Sequence, residues 1–193
     1  MLKNKTLKYF TLLLVSVVIS IQSVALAQYS PIILQWSTIN VHGTSNVHDW
    51  DMKPTKIIGE LGISNVKQIY ALTIKIEVKS LKSGNGIMDG KTYDAFDYKK
   101  NPYVSFQLTD ASQTKLTESD AEITLTGNLS FAGQTHKIAI KSIGKITKTG
   151  DYELKGSFPL KMTDFGMKPP TAMLGTMKTG DAVTIKFDVT YKG

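Results

Sequence analysis

Cysteine and arginine are both missing from this sequence of 193 residues, and proline occurs only six times. Without cysteine there are no disulfides and no thiol nucleophile, so the fold must rest on its apolar core and its strand ladders. The same absence excludes an N-terminal lipid anchor built on a cysteine. Every positively charged side chain is a lysine. Specific readers of phosphate and of base edges depend on the planar arginine fork, so the net charge of +7 describes a solvated surface and not a nucleic-acid footprint.

Long apolar runs are scarce too. Leu12 to Ile21 forms one, but it is short for a bilayer and interrupted by Ser16 and Ser20. Lys3, Lys5 and Lys8 precede it and Ala25-Leu26-Ala27 follows, the pattern of a cleavable export signal spanning 1–27. The mature chain, 28–193, is expected to be one domain, periplasmic or secreted and not membrane-spanning. Without the three leader lysines its formal charge falls from +7 to +4.

From Ile32 onward apolar and polar residues alternate with period two, broken at short intervals by Gly, Asn, Asp and Thr. Leu72–Lys79, Ile123–Thr126 and Val183–Tyr191 alternate without a fault. Further strands are expected near Gln35–Val41, Lys56–Val66, Tyr103–Thr109, His136–Ile146 and Tyr152–Met162. Gly133 and Thr149-Gly150-Asp151 supply hairpin turns, and Thr179-Gly180-Asp181 is expected to launch the final strand. Ile140 and Ile143 cannot share a face at strict period two, which points to a bulge at Lys141–Ile143. Ser83–Pro102 breaks the pattern, with Met88, Thr92 and Phe96 at helical spacing. Together these features describe an all-β chain: an eight-stranded antiparallel, lipocalin-like barrel with one short helical insertion.

Alternation alone does not say which face points inward, because an outer-membrane barrel shows the same period. The polar face decides. It carries Lys75, Lys79, Lys137, Lys141, Lys155, Lys161 and Lys186 against Glu77, Glu122, Glu153 and Asp188. Packing that excess of ammoniums into a narrow lumen would leave charges buried and unpaired, so the lysines face water and the apolar side faces in.

Nothing in the sequence builds a catalytic centre. His42, His48 and His136 are the only histidines, with no His-x-x-x-His spacing and no cysteine to complete a metal site. No serine stands in a G-x-S-x-G turn. Asp164-Phe165-Gly166 matches the kinase metal-binding triplet, but the Gly-rich and catalytic loops of that fold are absent. No metal and no cofactor are expected.

Four segments resemble the YceI-like family of periplasmic lipid-binding proteins. Thr126–Ile138 is similar to its G-x-L-T-x-x-G-x-T-x-x-V hairpin, with Ser130 in place of the threonine. Asp164-Phe165-Gly166 matches its D-F-G, Asp181–Ile185 its D-x-V-x-I, and Phe96-Asp97 with Pro102 and Phe106 its F-D and P-x-x-x-F. Where the family often carries an arginine before D-F-G and an R-D pair ahead of the helix, this chain has Lys161-Met162-Thr163 and Met88-Asp89. The resemblance implies a barrel whose lumen holds a polyisoprenoid, an isoprenoid quinone or another long-chain lipid, without catalysis.

On that reading the tail lies against Ile74, Ile76, Val78, Phe106, Leu125, Leu129, Phe158, Leu160 and Phe187. Tyr93, Phe96, Phe165, Met167 and Met173 are expected at the mouth. Methionine adapts its shape and suits a flexible ligand. Two alternatives stand beside it: a solid-core barrel that binds a partner by its surface, and an enzyme acting on a headgroup with His48 and Asp49.

Overall fold

The computed structural model describes residues 32–193, and the expected leader, Met1–Ala27, lies outside the described residues. The chain runs through β1 (Ile32–Ser45), β2 (Trp50–Pro54), β3 (Ile57–Ile63), β4 (Ile69–Glu77) and β5 (Leu81–Lys82) before its helix α1 (Gly86–Ala95). There follow β6 (Tyr103–Asp110), β7 (Ala121–Phe131), β8 (Gln134–Ile146), β9 (Tyr152–Lys161), β10 (Thr171–Ala172) and β11 (Met177–Tyr191).

β1, β3, β4, β6, β7, β8, β9 and β11 pair antiparallel in an order that returns on itself, because β11 bonds β9 on one side and β1 on the other. A closed eight-stranded barrel results, and closure removes the unpaired edges that an open sheet would expose. The three remaining strands are short additions: β2 lies between β1 and β5, and β10 pairs with the start of β11.

Alternation sets the wall. Along β7, Ile123, Leu125, Gly127, Leu129 and Phe131 are buried while the residues between them are more exposed. The outward face carries the charges, and Lys75, Lys137, Lys141, Lys155, Lys161 and Lys186 are all exposed. Register pairs opposite signs: Glu153 stands across from Lys145 at 3.3 Å, and Lys155 across from Asp188 at 3.1 Å. The Lys155 ammonium is held above its usual range, first by its hydrogen bond to Asp188.

Several expectations need correction. No bulge interrupts Lys141–Ile143: the β7–β8 register runs unbroken from Ala121↔Gly144 to Phe131↔Gln134. Ile143 simply faces outward at 38% exposure while Ser142 and Gly144 take the inward places. Register shifts fall elsewhere, among them between Leu108 and Asp110. The final strand starts at Met177, so Thr179-Gly180-Asp181 lies within it; pairing with β1 resumes at Ser45↔Thr179 after a register shift from Gly43↔Val183. β7 is longer than Ile123–Thr126, because the ladder continues to the turn at Ala132-Gly133.

The two ends differ. At one, Leu61, Ile69, Leu116, Leu154 and Tyr191 are almost wholly enclosed. The segment between β6 and β7 folds across this end: Leu116 N–H donates to the Lys67 carbonyl at 2.8 Å, and the Thr114 hydroxyl lies 2.7 Å from the Ile69 carbonyl. At the opposite end stand α1, the loop between β1 and β2, the β7–β8 turn and the segment between β9 and β11.

Candidate ligand cavity

Inward-facing side chains should be buried throughout a solid barrel. Along β9 they are not: Tyr152 and Leu154 are buried near the closed end, but Phe158 and Leu160, further up the same face, keep part of their surface exposed. They face empty space. A cavity of about 430 Å³ runs from the helix end down to Leu154 and Tyr191, within the range of roughly 300–1,000 Å³ usual for ligand sites.

Eight of the nine residues expected in the lumen line it: Ile74, Ile76, Phe106, Leu125, Leu129, Phe158, Leu160 and Phe187. Val78 does not. The backbone leaves β4 in a 3-10 turn at Val78–Ser80, with the Val78 N–H donating to the Pro102 carbonyl at 2.9 Å, and the side chain is fully buried away from the cavity. Gly127 lets β6 and the Phe106 ring approach closely, since a Cβ there would collide with the Gln107 carbonyl and stand 2.6 Å from that ring.

At the mouth, Phe96, Met167 and Met173 line the opening, and Tyr93 and Phe165 do not. Tyr93 fastens α1 to the barrel. Its hydroxyl lies 2.8 Å from the Leu81 carbonyl and accepts from Lys82 Nζ at 2.7 Å. Phe165 is 2% exposed, stacked on Phe131 with centroids 4.0 Å apart and met edge-on by His136 at 4.6 Å. It wedges the chain after β9 against the β7–β8 hairpin.

Helix α1 is started by Asn85, whose side chain accepts from the N–H groups of Ile87 and Met88. Asp89 is buried but satisfied, accepting from the Ser83 N–H at 2.8 Å and the Ser83 hydroxyl at 2.7 Å. The helix thereby presents Ile87, Met88, Lys91, Thr92 and Ala95 to the cavity. On the far side Asp181 anchors the segment after β9, its two oxygens accepting from the Thr163 N–H at 2.9 Å and the Thr163 hydroxyl at 2.7 Å. The Thr163 hydroxyl and N–H hold the Asp181 carboxyl below its ordinary range.

Trp50 and Met52 on β2 complete the wall. Sequence reasoning missed them, although Trp50-Asp51-Met52-Lys53 alternates; five residues next to a loop is a weak signal. Apart from His48, it also missed the polar part of the lining. Ser45, His48, Asn85, Lys91, Thr92, Thr171, Lys178 and Thr179 all stand at the mouth, and among the described residues no carboxylate lines the cavity.

Among the described residues no group of three or more His, Asp or Glu is placed to hold a metal ion. His48 and Asp49 do not form an acid–base pair: His48 Nδ1 lies 2.7 Å from the Asp49 backbone carbonyl, and the Asp49 carboxylate lies 3.9 Å from His42.

The YceI-like domain matches residues 33–191, nearly the whole described barrel. The chain belongs to the YceI-like family. Solved structures with a similar fold include Burkholderia cenocepacia BcnA, at 17% identity and a TM-score of 0.63, covering 80% of this chain and 95% of that one. A polyisoprenoid binding domain from Saccharophagus degradans, implicated in plant cell wall breakdown, is 14% identical with a TM-score of 0.66 over 83% and 97%. The Campylobacter jejuni YCEI protein is 16% identical with a TM-score of 0.57 over 74% and 84%. At these identities the likeness is one of fold. No curated protein matches the chain.

In this YceI-like barrel the recurring segments have structural tasks. D-F-G supplies the Phe165 wedge and, at Gly166, a positive φ of 68° that ends the 3-10 turn Met162–Phe165. D-x-V-x-I supplies the Asp181 anchor for that same turn. Met88-Asp89, expected ahead of the helix, lies inside α1, where Met88 lines the cavity, and of Lys161-Met162-Thr163 only Met162 does so.

Proposed function

We propose that the protein is an exported, non-catalytic carrier that holds a long-chain lipid, such as a polyisoprenoid, with its tail in the barrel lumen. The observation that carries this reading is a hollow, apolar interior closed at one end and open at the other. A tail slid into it loses apolar surface to water at about 25 cal/mol per Å², with no polar contact needed along the shaft. Membership of the YceI-like family and the polyisoprenoid binding domain with the same fold support the choice of ligand. The leader-like pattern of Met1–Ala27 supports a periplasmic or secreted location. An unfilled lumen speaks against the solid-core alternative.

Native mass spectrometry of protein purified without detergent from the producing cell is the direct test. The expected result is a population heavier than the polypeptide by a lipid's mass, released by organic solvent, on a chain that begins at Gln28. Polypeptide mass alone, together with no uptake of a fluorescent fatty-acyl probe, would overturn the reading.

A further inference from the structure

Three large apolar side chains are more exposed than any other among the described residues, and all three stand at the open end: Leu174, wholly in solvent, Ile87 at 75% and Met173 at 72%. Val47, in the loop between β1 and β2, joins them at 59%. None of the four packs against the core. We infer that this apolar rim is a membrane-docking surface, seated in the headgroup region of an anionic bilayer while lipid passes between bilayer and lumen. This rests on the lumen being a lipid site and adds the surface from which it is filled.

The backbone is shaped to hold the rim out. β10 and the start of β11 form a hairpin through Ala172↔Met177, and its tip carries Met173 and Leu174 in left-handed conformation, with φ of 52° and 55°. That conformation strains any residue with a Cβ, yet here the strain exposes two apolar side chains instead of burying them. The neighbouring loop is tied to the same hairpin: the Asn46 side-chain amide donates to the Thr176 carbonyl at 2.8 Å, and its oxygen accepts from the Lys178 N–H at 2.8 Å. Val47 follows directly. Ile87 comes from the first turn of α1, and both it and Met173 line the cavity, so apolar surface continues from the rim into the lumen. Charge favours an anionic bilayer. Lys91, one turn after Ile87, and Lys178, paired with Thr171 at the base of the hairpin, line the opening, and among the described residues no carboxylate does. Their stems lie along apolar surface while their ammoniums reach headgroup level. Single side chains at a hairpin tip, a loop and a helix end present no flat face to a folded partner, but they fit between lipid headgroups.

Flotation of the purified protein with vesicles of phosphatidylcholine, alone or mixed with phosphatidylglycerol, reads docking directly. Expected is binding to both, about fivefold to tenfold tighter on the mixed vesicles and with that preference shrinking as salt is raised. Val47 and Leu174 line no part of the cavity, so Val47→Asp/Leu174→Asp separates docking from ligand binding. The double variant should lose at least about tenfold in vesicle affinity and transfer a fluorescent fatty-acyl probe between vesicles correspondingly more slowly. Its melting temperature and its uptake of the same probe from solution should match the wild type. Val66→Asp, at an exposed site of the closed end, should float as the wild type does. A wild type that takes up the probe but does not float, or a double variant that floats equally well, would overturn the docking surface and leave the lipid cavity standing. Equal loss in Val66→Asp would do the same, and so would a wild-type dimer, seen by sedimentation, that the double variant dissociates, since the rim would then join two copies. No probe uptake by the wild type would overturn the cavity and the docking surface together.

Discussion

The two residues at the tip of the β7–β8 hairpin both adopt positive φ, Ala132 at 49° and Gly133 at 80°. A two-residue turn of that shape matches the right-handed twist of its strands and favours Asn-Gly. Glycine meets the requirement without strain, but alanine does not. Ala132→Asn is therefore expected to stabilise the fold by about 0.5–1 kcal/mol, and Gly133→Val to destabilise it by about 1–3 kcal/mol, both read by denaturant unfolding. Gly133 was legible in the sequence as a turn; the strain at Ala132 was not, because alanine carries no turn signal. Phe165 shows a similar limit. Its position in a motif marked it, but sequence could not distinguish a mouth residue from a wedge, a difference made by Phe131 stacking on it from a hairpin more than thirty residues earlier in the chain. Phe165→Ala should cost about 3–5 kcal/mol.

Among the elements, the stretch from Met162 to Met167 depends on one carboxylate from β11. The Asp181 carboxyl is lowered from its ordinary value of 3.8, so its contribution is fully present above that value and is lost as pH falls through the lowered native one. Amide exchange of residues 162–167 should accelerate over that acidic window ahead of the rest of the barrel. Asp181→Asn should show fast exchange there already at neutral pH. Identical profiles for the two proteins would mean that Asp181 does not anchor the turn. The long strands were legible because one face is apolar and the other wet over many residues. β2, β5 and β10 escaped because two to five residues cannot display a period, and they exist through pairing with β1 and β11.

For the whole molecule the question is where the barrel is hollow. Leu160 lines the cavity and is half-buried, whereas Leu61, near the closed end, is fully buried outside it. Adding volume to a packed site costs typically about 1–3 kcal/mol, while an open lumen accepts it. Leu160→Trp should leave thermal unfolding almost unchanged and reduce uptake of a fluorescent fatty-acyl probe; Leu61→Trp should lower stability by that amount. Equal destabilisation by both would show that the upper lumen is filled. Barrel, strand count and the direction of the apolar face were all readable from alternation and lysine placement. The cationic mouth was not, since it joins α1 to β11 across the closed fold.

Closure has a consequence for the order of assembly. β1 finds its long partner only in β11, with Val41 against Ile185, so every other barrel strand separates the two in sequence. Such a distant pairing forms late, because the intervening loop must be ordered before the contact rewards it. Until β11 arrives, β1 and β9 each present a long unpaired edge, the kind of template on which chains add to one another. A nascent chain of this design is thus at its stickiest just before it is finished, and a chaperone that shields it would be expected to let go only as β11 docks.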